Sequence, residues 1–160
     1  MNKNINNTLL LILSFLVFSI FSAYIIEYGL GYKPWKLCLY QRYPYFLSVV
    51  IILSILLTKK YIKLSLLILA LISLLGSIVA FYHFGIEQGF FNESLVCEAK
   101  NLDLNLSKED VLKQLGESTI SCKNVTFRVF GLSLATINTI FSFVLFGIFL
   151  KLFRNYEINK

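Results

Sequence analysis

A chain of 160 residues that is 57% hydrophobic, with a mean hydropathy of +0.72, is more apolar than a soluble domain, whose apolar share is about 45–50%. Its net charge of +6 does not indicate a nucleic-acid partner, because the basic residues flank apolar runs: Lys3, then Lys59, Lys60 and Lys63, then Lys151, Arg154 and Lys160. Charges so placed are topology signals, not the lining of a basic groove.

Four apolar segments follow one another, at about Leu9–Ile26, Leu37–Leu57, Leu64–Tyr82 and Val129–Leu150. Each approaches the roughly 20 residues that cross a hydrocarbon core of about 30 Å. Inside hydrocarbon a segment must satisfy its own backbone, so all four are expected to be helices. The expected fold is an all-α membrane protein, a single four-transmembrane-helix bundle spanning 1–160. A cleaved signal peptide competes for the first segment, but no convincing small-residue cleavage site follows Ser22-Ala23. An uncleaved first span is the expectation.

Charge sets the orientation. The amino terminus and the Lys59–Lys63 turn are purely basic, and the carboxyl tail carries three bases against Glu157. The long 84–128 loop carries seven acids against five bases. Both termini and the middle turn are therefore expected in the cytoplasm, with 27–44 and 84–128 outside. Within the outer loop, Ser107-Lys108-Glu109-Asp110 reads as an N-cap followed by first-turn acids, with Gly116 placed to end the helix. Val111, Leu112 and Leu115 would make this short helix amphipathic, either on the membrane surface or packed within the loop.

All three cysteines, Cys38, Cys97 and Cys122, fall on that outer side, where an oxidising compartment permits disulfides and thiol exchange. Cys97 and Cys122 lie 25 positions apart in the polar loop. A bond between them would be worth roughly 3–4 kcal/mol in the chain-entropy model. It reads either as a permanent staple or as an exchangeable disulfide that takes electrons from a soluble thiol protein.

Cys38 has neighbours that can tune it. Pro34 suits a helix start, which puts Cys38 in the first turn, where free N–H groups and the macrodipole favour an anion. Arg42 lies one turn later on the same face. Both effects raise the thiolate fraction. The plainer reading is an inert packed cysteine beside an interfacial arginine anchor. At the same outer end, the single histidine, His83, stands four residues before Glu87, a spacing that can orient the ring or relay a proton. One His, one Glu and scattered cysteines do not have metal-ligand spacing, and no metal site is expected.

These residues carry a resemblance. Pro34-Trp35-Lys36-Leu37-Cys38-Leu39-Tyr40-Gln41-Arg42, continuing into Tyr43-Pro44-Tyr45, resembles the P-C-x-L-C-x-x-Q-R signature of the bacterial disulfide bond formation protein B (DsbB) family. Tyr82-His83-x-Gly85-x-Glu87 is similar to the end of that family's third helix. Cys97 and Cys122 take the places of its periplasmic pair. Ser121-Cys122 and the stretch Phe130–Asn138 resemble the approach to its fourth helix.

The resemblance implies a multi-pass protein of the bacterial inner membrane that reoxidises a periplasmic DsbA-like thioredoxin-fold partner and passes electrons to ubiquinone or menaquinone. By position it makes Cys97 and Cys122 the pair attacked by the reduced partner and Cys38 the quinone-proximal thiolate. Arg42 and His83 would then bind the quinone.

One departure matters. Trp35 stands where the motif has its first cysteine, leaving Cys38 alone. Three outcomes are then open: direct attack of Cys38 on the loop disulfide, a missing thiol supplied by a second protein, or a scaffold that has lost quinone-coupled oxidation. The expected function is a thiol:quinone oxidoreductase. The alternative is a non-catalytic membrane protein that binds a thioredoxin-fold partner or a quinone. Vitamin K epoxide reductase-like proteins share a four-helix bundle, but their C-x-x-C is absent here.

Overall fold

The computed structural model describes residues 3–31, 36–92, 128–129 and 131–158. Helix α1 (Lys3–Tyr24) passes into a π-helical turn, Ile25–Gly29. Helix α2 is Lys36–Thr58 and helix α3 is Ile62–Glu87. A two-residue antiparallel pair, β1 (Arg128–Val129) with β2 (Leu132–Ser133), leads into helix α4 (Leu134–Ile158). Four helical stretches, Asn4–Gly29, Leu37–Thr58, Ile62–Glu87 and Leu134–Tyr156, are long and apolar enough to cross a membrane. The short helix expected at 107–116 lies outside the described residues, as do Trp35, Cys97 and Cys122.

Several helix limits differ from the sequence expectation, α1 starting at Lys3 and the last helix running to Ile158 among them, and two of the differences have clear local reasons. Helix α3 runs on to Glu87 instead of stopping near Tyr82, because its stop signal comes later. Gly89 adopts a φ of +78° and donates to the Ile86 carbonyl at 3.0 Å, while the Phe90 N–H reaches the Gly85 carbonyl at 2.8 Å. This paired closure is the Schellman geometry, which satisfies the last carbonyls and favours glycine at the left-handed position. Helix α4 begins at Leu134, not near Val129, because Gly131, at φ +83°, turns the chain into the small hairpin first.

The bundle is apolar outside and mixed inside. Leu11, Phe18, Val50, Leu57, Leu75 and Phe143 are exposed on its outer surface, as lipid-facing positions should be. One core cluster joins Leu9, Ile12 and Leu16 of α1, Ile52 and Ile55 of α2, Leu66 and Leu69 of α3, and Leu145 and Phe149 of α4. The most extensive helix pairing is α3 with α4.

Close approach is made possible by small side chains. Ser73, Gly76, Ser77 and Ala80 form a buried seam on α3, and Ser48 and Ser142 are buried opposite on α2 and α4. Such small residues replace the hydrophobic effect as the packing device between membrane helices. A Cβ on Gly76 would lie 3.4 Å from the Pro44 Cβ and 3.8 Å from the Ser142 Oγ. Gly76 is thus the point where α2, α3 and α4 converge.

Candidate functional site

The up-and-down course of the chain brings the end of α1, the start of α2, the end of α3 and the start of α4 to one end of the bundle. Polar residues collect there. Cys38 is the third residue of α2 and half-buried. It therefore sits in the first turn, within the positive end of the helix dipole. Arg42 follows one turn later. Its Nη1 donates to Glu27 Oε2 at 2.5 Å, and both side chains are mostly buried. The guanidinium also lies 5.1 Å from the centre of the Tyr24 ring, within cation–π range.

Glu27 reaches Arg42 from the π-helical turn that ends the first membrane-length stretch. There the Leu30 N–H reaches the Ile25 carbonyl at 3.1 Å, a five-residue step. Single π turns of this kind re-aim side chains and recur at functional sites.

A neighbouring face of α2 carries Leu37 and Gln41, one turn apart and both buried. Leu37 packs on Ile86 and Tyr82 of α3. Gln41 meets His83, with its Nε2 3.1 Å from the ring Nδ1. Its Oε1 accepts from Asn138 Nδ2 of α4 at 2.6 Å. Asn138 Oδ1 in turn accepts from the Tyr45 hydroxyl. Tyr45 lies one turn beyond Gln41, so the chain of bonds returns to α2.

His83 is fully buried, and among the described residues its Nε2 has no hydrogen-bond partner. A carboxylate oxygen, Glu87 Oε1, is 3.7 Å away, beyond direct bonding. The other carboxylate oxygen of Glu87 accepts from the Ser133 hydroxyl. Ser133 caps the start of α4 by accepting from the Thr136 N–H at 3.1 Å and contacts the Thr136 hydroxyl at 2.9 Å.

The structure thus gathers Cys38, Arg42 and His83 at one end of the bundle, with Arg42 and His83 held by different partners. Cys97 and Cys122 lie outside the described residues. Five participants carry no role assigned from the sequence: Glu27, Gln41, Tyr45, Ser133 and Asn138. The available signal was the cost of a polar side chain within an apolar span, which marks functional positions by default. Far from this end, a cleft of about 420 Å³ lined by Tyr61, Lys63, Phe153 and Tyr156 opens where α3 begins and α4 ends. None of the candidate site residues lines it.

Four membrane-length helices with a buried polar network at one end define a helical-bundle membrane protein. The chain belongs to the disulfide bond formation protein DsbB family, whose model matches residues 5–152. It is 28% identical over 154 residues to the uncharacterized protein RP370 of Rickettsia prowazekii (strain Madrid E), covering 94% of this chain and 89% of that protein. No solved structure matches the chain. Membership of this family indicates an oxidoreductase role in disulfide-bond formation.

Proposed function

We propose that the protein is a thiol:quinone oxidoreductase of the bacterial inner membrane, with both termini cytoplasmic, that reoxidises a periplasmic DsbA-like dithiol partner. The observation that carries this reading is the convergence of Cys38, Arg42 and His83 at one end of a bundle belonging to a disulfide-forming family.

The donor set supports a quinone ligand. Quinone carbonyl oxygens accept hydrogen bonds. The chain offers the Arg42 guanidinium and the buried His83 Nε2, which has no hydrogen bond among the described residues. Arg42 and His83 would hold the headgroup beside Cys38. Bound there, a quinone would supply the terminal acceptor, leaving as quinol with two electrons and two protons.

The chain's own part is thiol exchange and proton handling. A thiolate of the reduced partner attacks the Cys97–Cys122 disulfide, and the partner's second thiolate resolves the mixed disulfide. The partner leaves oxidised and the loop pair is left as two thiols. Return of the loop pair to the disulfide releases two electrons and two protons. Those two electrons and two protons would go to a quinone held by Arg42 and His83, with Cys38 standing beside it at the start of α2. His83 and Glu87 are positioned to hold a proton between them.

A second reading has a specific basis in Trp35. With tryptophan at the first motif position, Cys38 has no local resolving thiol. The chain would then bind a thioredoxin-fold partner or a quinone without turning over.

The test is quinone reduction by the purified protein with a reduced DsbA-type partner, run beside Cys38→Ser and Trp35→Cys variants. Turnover by the wild type that is lost in Cys38→Ser supports the enzyme reading. Turnover by Trp35→Cys alone supports the second reading, an intact scaffold that lacks one sulfur.

A further inference from the structure

We infer that Gln41 is a positioning residue that fixes the proton of His83 on Nε2 and aims it at Glu87, and that Asn138 and Tyr45 hold Gln41 in that orientation. Three helices contribute: Gln41 and Tyr45 from α2, His83 from α3 and Asn138 from α4.

The direction of the chain of bonds follows from its His83 end, since the Tyr45 hydroxyl can donate or accept. Each contact needs one donor and one acceptor, so Gln41 and Asn138 can turn only together. In one sense Tyr45 donates to Asn138, Asn138 to Gln41, and Gln41 to His83 Nδ1. A neutral ring then carries its proton on Nε2. In the opposite sense Nδ1 donates, and a bare Nε2 lone pair faces a carboxylate oxygen 3.7 Å away.

That second arrangement opposes two acceptors in a buried, poorly screened site. The first places an N–H dipole toward the carboxylate. Glu87 is kept in place by the Ser133 hydroxyl on its other oxygen, so it cannot swing away to relieve a repulsion. The network therefore runs from Tyr45 to His83 and ends on a proton presented to Glu87.

The tautomer stands on this geometry alone, whereas its consequence for catalysis rests on the quinone reading above. A fixed Nε2–H gives the site one preoriented donor at the buried end of the bundle, without rotation of the ring.

Because the chain has a single histidine, ¹⁵N-histidine labelling of the full-length protein in lipid nanodiscs gives one imidazole to read by NMR. The wild type should show a protonated Nε2 and a bare Nδ1. Gln41→Glu should move the proton to Nδ1, since a carboxylate only accepts, and Gln41→Leu should give a mixture. A wild-type ring protonated at Nδ1, alone or together with Nε2, overturns the assignment, as does a Gln41→Glu spectrum identical to wild type.

Kinetics read the catalytic half separately. Gln41→Leu should raise the KM for quinone about tenfold, the value of one well-placed hydrogen bond, with covalent capture of the reduced partner unchanged. An unmoved KM in a variant whose tautomer has shifted overturns that half. A wild type that shows the expected tautomer but no turnover overturns the reading as a thiol:quinone oxidoreductase and supports the assignment of the proton.

Discussion

Arg42 is bound to Glu27 at 2.5 Å, a guanidinium on the second helix held by a carboxylate on the π-helical turn of the first. The pair cancels charge that would be costly in an apolar setting, and it decides where the guanidinium points. Glu27→Gln removes the charge but keeps an acceptor. The ion pair retains some exposure, so the expected cost is modest, about 1–2 kcal/mol after allowance for screening. Thermal unfolding in detergent should register it as a lowered Tm, whereas Arg42→Ala, which strands Glu27 instead, should lower Tm at least as far. Equal stability of all three proteins would show that the pair does not hold α1 to α2.

Gly85 and Phe91 make a second close relationship. The chain folds back after α3 so that the Phe90 and Phe91 N–H groups both reach the Gly85 carbonyl, at 2.8 and 3.2 Å. A Cβ on Gly85 would drive into the Phe91 ring, which stacks on Tyr82 with centroids 5.6 Å apart. Gly85→Ala should therefore cost about 1–3 kcal/mol, the usual range for overpacking. Adding Phe91→Ala should recover part of that loss by emptying the space. A double variant no more stable than Gly85→Ala would mean the clash is relieved elsewhere.

The four spans were legible because apolar length is a direct consequence of crossing hydrocarbon, and Leu9–Ile26 or Val129–Leu150 needs no tertiary information to be seen. Their ends were less legible. The stop of α3 depends on the left-handed Gly89 and on bonds back to Gly85 and Ile86, which hydropathy does not register. Cys38, Arg42 and His83 stood out by residue type and spacing. Their partners did not, because Gln41 and His83 lie 42 positions apart, and Gln41 and Asn138 lie 97 apart. No local period brings such pairs together. Only the packing of α2, α3 and α4 around the small-residue seam does so.

That seam yields its own prediction at Gly76. An added Cβ would touch Pro44 at 3.4 Å, the edge of ordinary contact, and alanine also improves intrinsic helix stability by about 0.5–1 kcal/mol over glycine. The two effects nearly offset, so Gly76→Ala should leave Tm close to wild type. Gly76→Leu cannot fit between Pro44 and Ser142 and should cost about 1–3 kcal/mol. A Gly76→Leu protein as stable as wild type would show that α2 and α4 do not close on this point.

Asn138 and Tyr45 separate the energetic and directional roles of the network. Tyr45→Phe removes one interhelical bond, which between membrane helices is worth about 0.6 kcal/mol on average. Asn138→Ala removes both partners of one side chain, leaving Gln41 Oε1 without its donor and the Tyr45 hydroxyl without its acceptor. Stranding buried polar groups costs about 1–3 kcal/mol, so Asn138→Ala should be clearly the less stable of the two in a detergent melt. If the network is directional, Tyr45→Phe should also reveal a minor Nδ1-protonated form of His83 despite its small effect on stability. A Tyr45→Phe protein whose His83 spectrum matches wild type would mean that the Tyr45 hydroxyl has no part in orienting Gln41.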